Sequence, residues 1–156
     1  MELFLSHATR DQDLAAQVTS RLEGAGVRTY LAERDGRAGE NVHAKIEAAI
    51  RRSDVVIALL TEAGGASRYV QQEIGYARRA GKLIIPVVSV AVAGSGLGML
   101  EGTEYIVVDE EAPAEALLNL GDRVTQLAHA KNRRDQLNVA LLVVALGLLI
   151  LTLLDE

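Results

Sequence analysis

The sequence contains no cysteine and no tryptophan, and aromatic side chains make up only 3% of its 156 residues. Without cysteine the chain forms no disulfide, zinc–thiolate site or thiol nucleophile. Because hydrophobic residues still make up 49% of the chain, the core is expected to consist of Ala, Val, Leu and Ile. The net charge is −5, and no basic stretch contains interleaved aromatic residues. We therefore expect no nucleic-acid partner.

Metal and phosphate motifs are also lacking. His7, His43 and His129 have no metal-ligand spacing with acidic residues or with one another, so we predict no metal site. The glycine-rich stretch Gly94–Gly98 lacks the G-x-G-x-x-G spacing, and no strong helical pattern follows it. It is predicted to be a flexible loop rather than a phosphate-binding turn.

Short apolar runs alternate with helical patterns from residue 2 to about residue 131. Continuous apolar runs such as 55–60 are typical of strands buried on both faces of a parallel sheet. The predicted strands are 3–5, 27–31, 55–60, 83–88 and 104–108. The alternation predicts a parallel sheet flanked by helices, with a ligand site beyond the carboxyl ends of the strands.

Helix boundaries are indicated by capping and breaking residues. Asp11 or Asp13 is expected to cap a first helix that ends near Gly24. A second helix is predicted over 42–52. Ser67 is expected to cap a third helix over 68–80, after a loop at 64–67. A last helix is predicted to begin near Pro113, since proline suits the first helical turn.

The C-terminal stretch 137–154 is 18 residues long and carries no charge. As a helix it would be about 27 Å long, close to the roughly 30 Å hydrocarbon core of a bilayer. The residues Lys131, Arg133 and Arg134 precede it, which predicts a cytoplasmic N-terminal domain. We predict a tail-anchored, single-pass membrane protein with a domain at 1–131, a basic juxtamembrane linker at 132–136 and a transmembrane helix at 137–154.

The alternative for this stretch is a buried or oligomerising helix in a soluble assembly. Its uniform apolarity argues against that alternative, because such a helix has no polar face to present to water.

Six stretches of the chain carry a family resemblance. They are Phe4-Leu5-Ser6-His7, Tyr30-Leu31 with Glu33-Arg34-Asp35, Gly39-Glu40, Ser53-Asp54-Val55-Val56, Tyr69-Val70-Gln71-Gln72-Glu73, and Gly81-Lys82-Leu83-Ile84-Ile85-Pro86-Val87. In order and spacing they resemble the motifs of Toll/interleukin-1 receptor (TIR) domains, over about residues 2–130. The resemblance implies a flavodoxin-like sheet of five parallel strands flanked by helices, to which the predicted transmembrane helix is added.

Some TIR domains only assemble, whereas others cleave NAD⁺ with a glutamate on the third helix. In this sequence Glu73 matches that glutamate, and Tyr69 matches an aromatic position that is most often tryptophan in the family. Ala38, before Gly39, replaces a proline that many members carry. The other substrate-binding positions that the resemblance implies are Ser6, His7, Ala8, Thr9, Arg37 and Gly39.

The residues themselves leave alternatives open. A glutamate on a helix is usually a solvated side chain, and His7 is equally well explained as a structural histidine. Tyr69 alone is more often a packing residue than a stacking surface.

The resemblance implies an NAD⁺ nucleosidase of the bacterial type, which gives ADP-ribose or a cyclic isomer and serves antiphage immunity. NAD⁺ is then a substrate, and no bound cofactor is expected. Activity is expected to depend on homo-oligomerisation of TIR domains at a membrane, with the loop 32–41 of a neighbour completing the site. The alternatives are a non-catalytic TIR adaptor and a membrane-disrupting effector triggered by TIR oligomerisation.

Overall fold

The computed structural model describes residues 1–31, 42–95 and 97–154. These ranges contain five strands and five α-helices. The strands are β1 Glu2–Ser6, β2 Arg28–Leu31, β3 Val55–Leu60, β4 Leu83–Ser89 and β5 Ile106–Val108. The helices are α1 Gln12–Gly24, α2 Val42–Arg52, α3 Glu62–Ala66, α4 Arg68–Arg79 and α5 Ala114–Leu154. Short 3-10 turns occur at Thr9–Asp11 and Gly98–Leu100.

The strands form one parallel sheet in the order β2-β1-β3-β4-β5. The order reverses beside β1, which pairs with β2 on one side and with β3 on the other. This is the flavodoxin-like arrangement, and the reversal is where open sheets of this type bind ligands. The prediction of a five-stranded parallel sheet with flanking helices is confirmed.

The core is aliphatic, as the composition predicts. All six residues of β3 are buried, which explains the continuous apolar run. The helix α1 buries Leu14, Val18 and Leu22 on one face. The proline in β4, Pro86, lies before Val87, where pairing with β5 begins. The missing N–H of Pro86 therefore removes no hydrogen bond to β5.

The segment between β3 and α4 differs from its prediction as a loop. It contains the short helix α3, which Thr61 caps by accepting a hydrogen bond from Gly64 N at 2.9 Å. The predicted cap of α4 is confirmed, since Ser67 Oγ accepts from Val70 N at 3.4 Å. Asp11 stands at the N-terminus of α1, but its side chain makes no capping hydrogen bond.

By its contacts the chain divides into two compact units, Met1–Asp122 and Arg123–Glu156. The domain limits of 1–131 and 132–136 stay predictions. The described residues of the second unit belong to α5.

The prediction of a transmembrane helix at 137–154 is wrong. In the part of the chain that the structure describes, no helix is long and apolar enough to cross a membrane. A span needs about 20 consecutive apolar residues. The predicted single-pass membrane localisation depended on this helix and is wrong for the same reason. The membrane-disrupting effector required the same helix and has no support without it.

Candidate active site

A buried carboxylate lies at the carboxyl end of β1. The side chain of Glu73 is 4% exposed, and Ser6, the last residue of β1, is fully buried. Ser6 Oγ donates a hydrogen bond to Glu73 Oε2, although the two residues are 67 positions apart in the chain. Glutamate is almost never buried to this extent without a polar partner. Glu73 is therefore not an ordinary solvated side chain of a helix surface.

The helix α4 positions Glu73 through its amphipathic pattern. Its buried face consists of Val70, Glu73, Ile74 and Ala77. Because the three apolar residues pack into the core, the carboxylate is held at the sheet edge at the cost of desolvation. The hydrogen bond from Ser6 offsets part of that cost.

A cavity of about 290 Å³ lies between α2 and α4 and is here called the Glu73 cavity. Tyr69 precedes Glu73 by one helical turn, so both side chains reach the same cavity. The side chain of Tyr69 is 54% exposed, which leaves its ring accessible to a planar ligand. The cavity is lined by His43, Ile46, Glu47, Ile50, Tyr69, Gln72, Glu73, Tyr76 and Arg79.

Residues 7–9 come directly after β1, at the carboxyl edge of the sheet where the ligand site is predicted. His7 and Ala8 are buried, and Thr9 is exposed at the start of the 3-10 turn. None of these three residues belongs to the lining of the Glu73 cavity, whereas Ser6 reaches the site through its hydrogen bond to Glu73. Arg37 and Gly39 lie outside the described residues.

A second buried polar contact joins two loops at this edge, and the sequence patterns do not indicate it. Thr61 follows β3, and its Oγ1 donates to the carboxylate of Asp11, with distances of 2.8 and 2.9 Å to the two oxygens. Both side chains are buried. The sequence suggests Asp11 only as a helix cap, because its partner lies 50 positions away. The contact fixes the segment after β1 against the segment after β3.

We expect Thr61→Val to lower the free energy of unfolding by about 2 kcal/mol. The change removes a hydrogen bond to a buried carboxylate and leaves Gly64 N without its cap. Urea unfolding followed by circular dichroism measures the loss. Thr19→Val is the matched control, because Thr19 Oγ1 is buried and has no hydrogen-bond partner among the described residues. Equal stability of the two variants would contradict the role of the Asp11–Thr61 contact.

Tyr76, which lines the Glu73 cavity, has two cationic neighbours. Arg51 donates a hydrogen bond from Nε to Tyr76 Oη. The guanidinium carbons of Arg51 and Arg79 each lie 5.7 Å from the centroid of the Tyr76 ring. The hydrogen bond to Tyr76 is the main cause that raises the pKa of Arg51 above its ordinary value. Sequence patterns miss this group because α2 and α4 meet only in the tertiary structure.

The described part of the chain contains no cluster of three or more histidine, cysteine or acidic side chains that could hold a metal ion. The chemistry available at the Glu73 cavity is that of one buried carboxylate beside an exposed aromatic ring. Such a carboxylate can stabilise a positive charge that develops on a bound substrate.

A family model described as TIR domain matches residues 3–119 of the chain. The solved structures that share the fold of this chain include the three described next. The TIR domain of the Toll-related receptor TRR-2 from Hydra magnipapillata is 17% identical with a TM-score of 0.63, and the match covers 80% of this chain and 97% of that one. The TIR domains of the activated Roq1 resistosome, which directly recognises the pathogen effector XopQ, are 10% identical with a TM-score of 0.61, covering 79% and 98%.

The third structure is the CMP N-glycosidase BcmB from Clostridium botulinum. It is 23% identical with a TM-score of 0.57, and the match covers 77% of this chain and 97% of that one. At these identities the three structures establish a common fold. No curated protein matches the chain.

Proposed function

The chain belongs to the TIR-domain family, and from this premise we propose that it cleaves the nicotinamide–ribose bond of NAD⁺ with Glu73 as the catalytic carboxylate. The observation that carries the proposal is the buried Glu73, held by Ser6 and lining a cavity beside the exposed ring of Tyr69.

The proposed reaction needs only one carboxylate. Ordinary glycosidases use a second one to protonate the leaving group. The nicotinamide of NAD⁺ is already a cationic pyridinium. When the bond from its nitrogen to ribose C1′ breaks, the electron pair of that bond goes to the nitrogen, and neutral nicotinamide leaves. Positive charge then develops on the ribose, and the carboxylate of Glu73 stabilises it electrostatically.

Capture of the ribosyl cation completes the reaction. Water adds to C1′ and releases a proton to give ADP-ribose, whereas attack by a nucleophile of the substrate's own adenine or ribose gives a cyclic isomer. Neither path requires a metal or a bound cofactor. Tyr69 stacks on the nicotinamide or its ribose in this proposal.

The structural relatives supply limited support. The CMP N-glycosidase has the same fold, so this fold is compatible with breaking the N-glycosidic bond of a nucleotide. The resistosome structure contains TIR domains in an activated complex, which supports the proposal that this domain acts after homo-oligomerisation, in defence signalling. In that proposal residues 32–41 of a neighbouring TIR domain, which lie outside the described part of the chain, complete the site. A non-catalytic TIR adaptor remains the alternative function.

We expect the purified full-length chain to release nicotinamide from NAD⁺ once it is clustered, for example by fusion to a multimeric scaffold. Clustering raises the local concentration of domains and therefore favours contacts between them. Liquid chromatography with mass detection measures nicotinamide and separates ADP-ribose from cyclic isomers. A parallel incubation with CMP tests whether the chain acts on the nucleotide that names the related N-glycosidase. If the clustered chain, with its assembly verified by light scattering, releases no nicotinamide, the adaptor alternative is favoured.

A further inference from the structure

A second cavity shares two lining residues with the Glu73 cavity. The second cavity has a volume of about 420 Å³ and is lined by Arg51, Tyr76, Arg79, Ala80 and Lys82. Tyr76 and Arg79 line both cavities. The second one, here called the cationic cavity, therefore adjoins the site that contains Glu73.

The three cations of the cationic cavity come from three segments of the chain. Arg51 belongs to α2 and Arg79 to α4, and both guanidinium groups lie against the Tyr76 ring. Lys82 lies between α4 and β4. Its Nζ donates to Arg51 O at 2.6 Å and to Ser53 O at 2.8 Å, which fixes it at the C-terminal end of α2. Each cation is thus positioned by a contact within the domain.

A simpler explanation for these residues is helix stabilisation, since cations near a helix C-terminus interact favourably with its dipole. Both α2 and α4 end in paired arginines, Arg51 with Arg52 and Arg78 with Arg79. The dipole explains why each helix ends in cations. It does not explain why one arginine from each helix lies against the same aromatic ring beside the cationic cavity. Arg52, in contrast, lines a different cavity.

The charge balance of the cationic cavity favours an anionic ligand. Its lining contains three cations and no carboxylate. Glu47 lies one turn earlier on α2 than Arg51, and it lines the Glu73 cavity instead. Arginine guanidinium groups present planar pairs of donors that match the oxygens of phosphate.

We propose that the cationic cavity binds a phosphate group of a nucleotide. Two sources are compatible with its position. The first is the substrate itself, and this version rests on the proposed function. Arg79 follows Glu73 by six positions, which is about 9 Å along a helix, and both residues line the Glu73 cavity. A nucleotide with its ribose at Glu73 can therefore reach Arg79 with a phosphate. The second source is a separate effector nucleotide.

Inorganic pyrophosphate is the probe for this site. Isothermal titration uses the full chain with Glu73→Gln, which excludes turnover. When Arg51→Ala and Arg79→Ala are added to this chain, we expect pyrophosphate binding to weaken at least about tenfold. Because the attraction is electrostatic, we also expect added salt to weaken binding. The matched control is Arg52→Ala, which removes the same charge from the same helix end but from outside the cavity. It is expected to change the affinity less than about twofold.

Tyr76→Phe provides a second variant that retains the ring and removes the hydroxyl that holds Arg51. It is expected to weaken binding by about threefold, since it removes one positioning hydrogen bond. The inference is overturned if pyrophosphate does not bind, or if the double variant binds it as tightly as the Arg52→Ala control.

Competition against NAD⁺ distinguishes the two sources. If the phosphate belongs to the substrate, pyrophosphate competes with NAD⁺ for the Glu73→Gln chain. In the chain that retains Glu73, the double change Arg51→Ala and Arg79→Ala then raises KM with a smaller effect on kcat. If the phosphate belongs to an effector, pyrophosphate and NAD⁺ bind together. The unmodified chain could also bind pyrophosphate through Arg51 and Arg79 but release no nicotinamide. That result would support this site and contradict only the proposed reaction.

Discussion

Replacing Glu73 with glutamine is expected to reduce nicotinamide release from NAD⁺ at least about 1000-fold in the clustered chain. Glutamine has nearly the same shape, and its amide oxygen can still accept the hydrogen bond that Ser6 Oγ donates to Glu73. What it lacks is the negative charge that stabilises the cationic ribose in the transition state. The measurement is the initial rate of nicotinamide release by liquid chromatography, together with the melting temperature.

The control for this variant is Glu62→Gln, which removes the same charge from the exposed first turn of α3. We expect it to retain the activity of the unmodified chain. Because Glu73→Gln also removes the cost of burying a charge, its melting temperature should not fall below that of the unmodified chain by more than a few degrees. Full activity in Glu73→Gln would remove this residue from the mechanism.

The largest expected effect on stability comes from Gly64→Ala. A Cβ atom at this position would lie 2.2 Å from the backbone oxygen of Leu59 and 3.3 Å from Asp11 Oδ2. Because Leu59 belongs to the buried strand β3, the clash can be relieved only by displacing α3 or the strand. We expect the free energy of unfolding to fall by about 3 kcal/mol. Urea unfolding of the full chain measures the change.

The neighbouring glycine is the matched control. A Cβ at Gly65, on the same short helix, meets nothing within 4 Å. We therefore expect Gly65→Ala to be neutral or stabilising by up to about 1 kcal/mol, because alanine has the higher helix propensity. If the two variants have the same stability, the result contradicts the close packing of α3 against β3 at Gly64.

The position of Tyr69 relative to Glu73 could be predicted from the sequence. Residues four positions apart on a helix share a face, so the two side chains are neighbours in any structure that retains α4. The burial of Glu73 could not be predicted in this way. It depends on Ser6, which arrives from β1 across 67 positions of the chain. The contact of Asp11 with Thr61 was missed for the same reason.

The prediction of a transmembrane helix at residues 137–154 was wrong. The apolarity of a stretch is read from its composition alone, whereas the structure has no helix in its described part that could cross a membrane. The uncharged stretch belongs to the longer helix α5, which also contains the polar residues 131–135.

The sequence by itself determined the order of the five strands, the order of the helices other than α3, and the family of this domain. These depend on patterns within a few residues, such as the apolar run of β3 and the cap at Ser67. Only the tertiary structure decided which side chains share a cavity. The strand order β2-β1-β3-β4-β5 brings the ends of β1 and β3 together and places α2 beside α4. Contacts such as Ser6 with Glu73 and Arg51 with Tyr76 join distant segments, so no local pattern contains them.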